Sequence, residues 1–193
     1  QYPIQHYYSY LKQKEIQEME NQSNTPQERE SSQSICTVTV IHKPARKLLV
    51  MYAQKAHDYF SFCEEMSCEW EGLFNSIPNR LETAALMTLP PSLHPEGTTE
   101  TAAGVELPED IDITVPEGCT LLSLPPCDYL YFQSPPYEKE EDYCIAIESV
   151  FQASQTYRPE RFGYAYAPEL APSVNFGADT LTGGCIALPV KKL

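Results

Sequence analysis

Short stretches of alternating apolar and polar residues recur along the chain from about residue 36 onward. Thr37–Ile41 and Lys47–Tyr52 are rich in β-branched and large apolar residues, and a break at Pro44 separates them. This alternation predicts β-strands, because successive side chains of a strand point to opposite faces. The same pattern predicts further strands at Thr83–Leu89, Thr99–Leu107, Thr120–Leu124, Tyr129–Gln133, Phe162–Ala167, Ser173–Phe176 and Cys185–Val190.

Two longer segments repeat apolar residues every three or four positions and therefore predict helices. The first covers about Ala56–Ser76, with Cys63 and Trp70 among its apolar positions. The second covers about Glu138–Thr156, with acidic residues in its first turn, where the helix dipole favours them. Each helix stands between two pairs of strands, which predicts an α+β fold with antiparallel sheets.

Residues 1–35 differ in composition from the rest of the chain. Ile4 to about Glu20 has the apolar spacing of a helix, and residues 21–34 are polar and predict a flexible linker. The helix could be a dimerising or docking arm, or the remnant of a preceding domain. We therefore divide the chain into this N-terminal part and one folded domain over residues 36–193.

A single offset of 81 residues, the distance from Pro44 to Pro125, relates the two halves of the folded domain. Without a gap, it pairs Val40 with Leu121, Cys63 with Cys144, Trp70 with Phe151, Pro91–His94 with Pro172–Asn175, and Val105–Pro108 with Ile186–Pro189. The shared order predicts a tandem duplication of a strand-strand-helix-strand-strand unit, with repeats at about residues 36–110 and 117–191. Two such units related by a pseudo-twofold axis would leave a central groove, a favoured place for a ligand.

The formal net charge of −14 over 193 residues argues against direct binding of nucleic acid. Affinity for a phosphate backbone depends on Lys and Arg, and an acidic surface repels it. Solubility explains the acidic surface most simply, and an acidic protein-interaction module is the alternative. The 42% hydrophobic fraction is sufficient for a packed core.

The cysteines and histidines form no pattern that holds a metal or a cofactor. The seven cysteines have no paired CxxC spacing, which predicts reduced thiols in a cytoplasmic protein. The four histidines form no ligand cluster, and the chain contains no GxSxG, GxxxxGK or GxGxxG motif. No apolar stretch is long enough to span a membrane. We therefore predict no cofactor, no metal, no membrane association and no catalytic residues.

Several segments resemble, in order and spacing, the GyrI-like effector-binding domain of AraC-type bacterial transcription regulators. They are Thr101–Glu109, Val115–Cys119, Leu124–Phe132, the helix pattern over residues 59–73, and Arg158–Tyr164. The resemblance covers about residues 36–191. It implies a duplicated α+β fold with a small-molecule pocket between the repeats, and a helix-turn-helix domain elsewhere. Residues 1–35 would then connect to that missing domain, through which alone DNA would be bound. Whether the chain forms a homodimer stays open.

The resemblance also guides the choice of ligand-binding residues. Many members carry a Pro-x-Phe/Leu-Glu-x-Tyr motif whose buried Glu recognises cations, whereas Asn175 occupies the Glu position here. A neutral amide cannot offset a buried cation, so a small aromatic or amphipathic ligand is favoured, unless Glu71 or Glu106 replaces the missing carboxylate. A hydrolase using Trp70 and Glu71 is the alternative, since some relatives resemble hydrolases. The predicted ligand-binding residues are Trp70, Glu71, Glu106, Tyr129, Tyr131, Phe151, Tyr164, Tyr166 and Asn175.

Overall fold

A computed structural model of the chain describes residues 35–193, so the predicted N-terminal helix and the predicted linker over residues 21–34 lie outside the described residues. Nine strands and three α-helices form the described part. The strands are β1 Thr37–Lys43, β2 Arg46–Tyr52, β3 Ala85–Thr88, β4 Thr101–Pro108, β5 Thr120–Leu124, β6 Cys127–Gln133, β7 Tyr164–Tyr166, β8 Ser173–Asp179 and β9 Gly183–Lys192. The helices are α1 Tyr59–Met66, α2 Trp70–Asn75 and α3 Tyr143–Thr156, with 3₁₀ turns at Glu140–Asp142 and Pro159–Phe162.

The first predicted helix is in fact two helices, which corrects the expectation of one continuous helix over Ala56–Ser76. α1 begins at Asp58, whose side chain accepts a hydrogen bond from the Ser61 backbone N–H in a capping box. It ends at Ser67, which adopts a positive φ of 68° that a continuing helix does not allow. α2 then begins at Trp70.

All nine strands belong to one antiparallel sheet with the order β1-β6-β9-β8-β3-β4-β2-β5, and β7 adds to β9. The pairing of β3 with β8 joins the two halves, with Leu86 opposite Asn175 and Met87 opposite Val174. The separate small sheets expected for the two halves are therefore one continuous sheet, and an α+β fold is confirmed.

The sheet curls until its two ends approach each other. Five strands lie between β1 and β2 in the hydrogen-bonded order, which in a flat sheet would separate them by roughly 29 Å. Only Pro44 and Ala45 connect β1 to β2, and three residue steps span at most about 11 Å. The connection from β5 to β6 is equally short. Both connections are possible only because the sheet curves back on itself.

The curled sheet has an inner and an outer face, each with its own apolar core. The inner core consists of strand and loop residues such as Leu48, Met87 and Ala187. On the outer face α1 and α2 bury Phe62, Trp70 and Phe74 against β2 and β4. α3 forms a second outer core with residues of β6 and β9. No helix among residues 35–193 is long and apolar enough to cross a membrane.

The offset of 81 residues holds at the beginning and at the end of each half, where it carries β4 onto β9, and fails between them. It carries β2 onto β6 residue for residue. It pairs Pro91–His94 with Pro172–Asn175, but the first segment is a turn after β3 and the second lies mostly in β8. The second half has an added segment with β7 before β8, and a much shorter connection from β8 to β9. These changes compensate each other in length, so the sequence matched without a gap although the structure requires gaps.

Candidate ligand-binding site

Five residues of the outer face lie around the pairing of β3 with β8. Asn175 of β8 stands between Leu86 of β3 and Ile186 of β9, and these two residues belong to the outer cores under α2 and α3 respectively. The middle of the sheet therefore lies between the two helical layers. We call the residues at this place the outer cluster, which consists of Tyr59, Trp70, Glu71, Tyr143 and Asn175.

Trp70 forms the buried wall of the outer cluster and is only 4% exposed. Its ring meets those of Tyr59 and Phe62 edge to face, with centroids 6.4 and 5.9 Å apart. Its buried indole N–H makes no hydrogen bond with residues 35–193. The Cys63 thiol lies near the indole, but burial raises the pKa of that thiol to about 12, so it remains a weak acceptor. A buried donor without a partner costs about 1–3 kcal/mol.

The charge of the Glu71 carboxylate acts on two tyrosines, of which Tyr59 contacts it directly. The Tyr59 hydroxyl donates to Glu71 Oε1 at 3.2 Å. The Tyr143 hydroxyl lies against β8 at Gly177, where an added Cβ would be 3.1 Å from it. Burial, and secondarily the charge of Glu71, raises the pKa of both tyrosines well above the usual value of 10. The outer cluster thus offers neutral phenols and one carboxylate, a surface suited to polar aromatic or cationic groups.

Asn175 uses its amide oxygen to shape β8 itself. The oxygen accepts a hydrogen bond from the Gly177 backbone N–H at 2.9 Å. This contact stabilises the irregularity between Asn175 and Ala178, where Gly177 adopts a φ of 75°. The neutral Asn175 side chain therefore has a structural role in β8.

A second group of residues, which we call the inner cluster, lies on the inner face near the β1–β2 connection. At its centre the Lys43 ammonium contacts Glu106 Oε2 at 2.6 Å and Glu82 Oε1 at 3.3 Å. Arg46 Nε lies 2.9 Å from Glu106 Oε1, without the alignment that a hydrogen bond needs. Lys43, Arg46 and Glu106 are each at least 94% buried. The inner cluster consists of Lys43, Arg46, Glu82, Glu106, Tyr129, Tyr131 and Phe176.

Hydrogen bonds connect these charges to the aromatic residues of the inner cluster. Arg46 donates to the Tyr129 hydroxyl at 3.3 Å, and that hydroxyl donates to the Pro172 carbonyl at 2.8 Å. The Tyr131 hydroxyl donates to Glu82 at 2.5 Å. Burial is the main cause that raises the pKa of both tyrosines above the usual value, so they remain protonated. Glu106 is thus already paired with two cations.

The predicted ligand-binding residues therefore fall into three places. Trp70, Glu71 and Asn175 meet in the outer cluster, whereas Glu106, Tyr129 and Tyr131 lie in the inner cluster on the other face. The remaining three surround α3: Phe151 is 40% exposed on the helix, and Tyr164 and Tyr166 lie on β7. The Tyr166 hydroxyl donates to the Ser154 carbonyl at 2.8 Å, and burial raises its pKa to about 12. Tyr164 and Tyr166 are thus part of the packing around α3, whereas Phe151 lies on its exposed side.

The sequence pattern did not single out six residues of the two clusters, which are Lys43, Arg46, Tyr59, Glu82, Tyr143 and Phe176. Tyr143 follows a 3₁₀ turn, and its approach to Glu71 depends on the pairing of β3 with β8. Lys43 and Arg46 flank a Pro-Ala connection, a pattern that indicates an exposed turn. Phe176 was identified only as a strand residue, but its ring stacks on Tyr131 at 5.8 Å.

A separate open cavity of about 300 Å³ lies beside the ends of β3 and β8. Its lining is mostly apolar, and Glu169, its acidic residue, forms an ion pair with Lys191 at 3.1 Å. Elsewhere in residues 35–193, no group of three or more histidine, cysteine or acidic side chains could hold a metal ion. The seven cysteines, all within this part of the chain, are free thiols.

No protein-family model and no curated protein matches the sequence, but solved structures do. SAV2435 bound to tetraphenylphosphonium has a TM-score of 0.52 and 12% identity, over 80% of this chain and 94% of that chain. The EcmrR C-terminal domain matches over 82% and 99% of the two chains, with a TM-score of 0.47 and 10% identity. A hydrolase from Listeria innocua matches over 91% and 98%, with a TM-score of 0.38 and 10% identity. The chain has the GyrI-like α+β fold that its sequence predicted.

Proposed function

We propose that this domain senses a small aromatic or amphipathic molecule through the outer cluster, as the effector-binding part of a bacterial transcription regulator. The observation that carries the proposal is the unpartnered indole N–H of Trp70, beside two protonated tyrosines and Glu71. A ligand with a hydrogen-bond acceptor would satisfy the indole, and its rings would pack on Trp70 and Tyr59. A ligand gains the most binding free energy where it supplies hydrogen-bond partners to buried polar groups that lack them.

The topology supports a duplicated unit as the origin of this site. The strand order reads the same from either end of the sheet when four pairs of strands are exchanged: β1 with β5, β2 with β6, β3 with β8 and β4 with β9. A pseudo-twofold axis would then pass between β3 and β8, next to the outer cluster. A ligand at this place would contact both halves and could bias their relative position. A ligand that binds one arrangement of the two halves more tightly than the other would shift the equilibrium between them. This shift would alter an attached helix-turn-helix domain.

The structure of SAV2435 with tetraphenylphosphonium supports a bulky aromatic ligand, because that protein shares the fold. The acidic charge of this chain disfavours direct contact with DNA. We therefore propose that DNA is contacted through another domain, of the AraC type or a different one. A cytoplasmic location and a regulatory role follow from the same proposal.

Trp70 makes the proposal directly testable, since it is the one tryptophan of the chain and its fluorescence reports the outer cluster. We expect tetraphenylphosphonium and the neutral triphenylphosphine oxide to quench this fluorescence saturably. Glu71→Gln should weaken binding of the cation about tenfold, equivalent to about 1.4 kcal/mol, and leave the neutral compound unaffected. Glu69→Gln, which changes an exposed carboxylate next to α2, is the matched control. Absence of saturable quenching by both compounds would reject the outer cluster as their site.

A hydrolase is the second candidate, because Trp70 and Glu71 are adjacent at the same place and Tyr59 donates to the carboxylate. A carboxylate of this kind could act as a general base on a water molecule. Ester or epoxide turnover that is lost in Glu71→Gln and retained in Glu69→Gln would favour this function over sensing.

A further inference from the structure

The inner cluster surrounds one ammonium group with three aromatic rings. The Lys43 Nζ atom lies 5.1 Å from the ring centroid of Tyr129, 5.3 Å from that of Tyr131 and 6.0 Å from that of Phe176. Two carboxylates, from Glu82 and Glu106, contact the same atom. We call these five enclosing residues the ammonium box.

This combination exceeds what an internal salt bridge requires. A buried Lys–Glu pair needs a counter-charge and hydrogen bonds, and aromatic faces are not part of that requirement. Aromatic faces combined with carboxylates are the means by which proteins bind ligands with an organic ammonium group. The ammonium box therefore has the chemistry of a ligand site, although its occupant belongs to the chain.

The strands that carry the ammonium box are held together independently of Lys43. Glu106 lies on β4, Tyr129 and Tyr131 on β6, and Phe176 on β8, each of which pairs with other strands. Lys43 enters from the end of β1, just before the Pro44–Ala45 connection. The box is also open on one side, because the Glu82 side chain is 27% exposed and Tyr131 and Phe176 are only partly buried. Glu82 Oε2 makes no hydrogen bond within the described residues.

We propose that the ammonium box is a recognition site for a primary alkylammonium group, and that Lys43 is its resident occupant. Lys43 is then a specificity-determining residue: the native chain excludes free alkylammonium ions from this site, and the chain without that side chain binds them. The site lies on the inner face and does not involve the outer cluster. The proposed sensing function and this proposal can therefore fail independently.

The test removes the lysine side chain beyond Cβ and supplies the missing atoms as a free molecule. Lys43→Ala lacks three carbon atoms and the ammonium group, and propylammonium contains the same number of carbon atoms and the same ammonium group. Propylammonium at about ten times its dissociation constant should raise the melting midpoint of Lys43→Ala by about 3–6 °C. Propanol matches its size without the charge and should give less than a third of that shift. The native chain and Lys47→Ala, which removes an exposed lysine of β2, should show no shift specific to propylammonium.

Lys43→Ala leaves two carboxylates without their ammonium partner and could be unfolded by itself. In that case propylammonium should refold it and propanol should not, because a ligand of the folded state shifts the folding equilibrium. The double variant Lys43→Ala/Glu82→Gln removes one of these charges, and we expect it to fold and to bind propylammonium more weakly. The proposal is overturned if neither variant gains more stability from propylammonium than from propanol. It is also overturned if the native chain responds as strongly as Lys43→Ala.

Discussion

The inner and outer clusters lie on opposite faces of one sheet and differ in how their charged and polar groups are paired. In the inner cluster two cations, Lys43 and Arg46, balance two carboxylates, Glu82 and Glu106, within 3.3 Å. In the outer cluster Glu71 is an exposed residue, and the Trp70 N–H has no hydrogen-bond partner in residues 35–193. The difference is one of charge balance: the chain itself neutralises the charges of the inner cluster, although Arg46 Nε and Glu82 Oε2 make no hydrogen bond there. In the outer cluster we propose that a ligand supplies the missing partner of the Trp70 N–H.

The position of each cluster in the fold supports the same division. The inner cluster lies where the ends of the curled sheet meet, and Arg46 donates to the carbonyls of Pro44 and Pro125 in the two short connections. Its charges therefore contribute to closing the fold. The outer cluster lies beside the pairing of β3 with β8 in the middle of the sheet, away from these connections.

The largest expected effect on stability comes from breaking the charge balance of the inner cluster. Glu106→Gln leaves Lys43 and Arg46 buried with too little negative charge, which should cost about 3–5 kcal/mol of unfolding free energy. Urea denaturation followed by circular dichroism would measure this loss. Glu100→Gln is the matched control, because its carboxylate is 43% exposed and pairs with His57, and we expect a change below about 0.5 kcal/mol. A loss in Glu106→Gln as small as that in the control would contradict the division between the clusters.

The unfolding free energy should fall at alkaline pH partly because of Tyr143, whose phenol is buried in the outer cluster. Its folded-state pKa is raised, chiefly by burial, above the unfolded value of about 10. The unfolded chain therefore releases this proton first, so the stabilisation is complete below about pH 10 and is lost as the pH rises further. Each such tyrosine contributes a loss of about 1.4 kcal/mol per pH unit in that range.

The measurement compares native chain and Tyr143→Phe between pH 9 and pH 11.5 by urea denaturation. We expect the unfolding free energy of the variant to fall less steeply with rising pH. The difference in slope should equal the loss that one tyrosine contributes. Tyr137→Phe is a useful comparison, because the pKa of Tyr137 is raised as well but its phenol is less buried. Identical pH profiles for the native chain and Tyr143→Phe would show that Tyr143 reaches solvent.

The strands were predictable from sequence because their alternation is local. β5 has the predicted boundaries, and β2 differs from the prediction by one residue. Alternation also places Tyr129 and Tyr131 on one face of β6, but it does not say which face carries a helix. The two clusters were therefore merged into a single predicted pocket. Only the long-range pairing of the strands separates Tyr129 from Trp70.

The curl of the sheet could not be predicted for a related reason. Lys43, Pro44, Ala45 and Arg46 have the composition of an exposed hairpin turn, and a local reading joins β1 to β2 as neighbours. In the structure β1 pairs with β6 instead, and this pairing buries both cations. The energy that selects it comes from contacts more than 60 residues apart, such as Lys43 with Glu106.

The smallest expected effect on stability concerns Trp70, although the same change should abolish the fluorescence signal and weaken ligand binding. Trp70→Phe removes part of a buried ring, and it also removes an N–H group that has no partner. The loss of packing and the relief of the unpaired donor oppose each other, so we expect a net change within about 1 kcal/mol. Phe74→Leu, a fully buried change on the same helix without a polar atom, lacks this compensation and should destabilise the domain more. If Trp70→Phe proves more costly than Phe74→Leu, the indole N–H has a partner in solution, and the outer cluster offers no unpaired donor to a ligand.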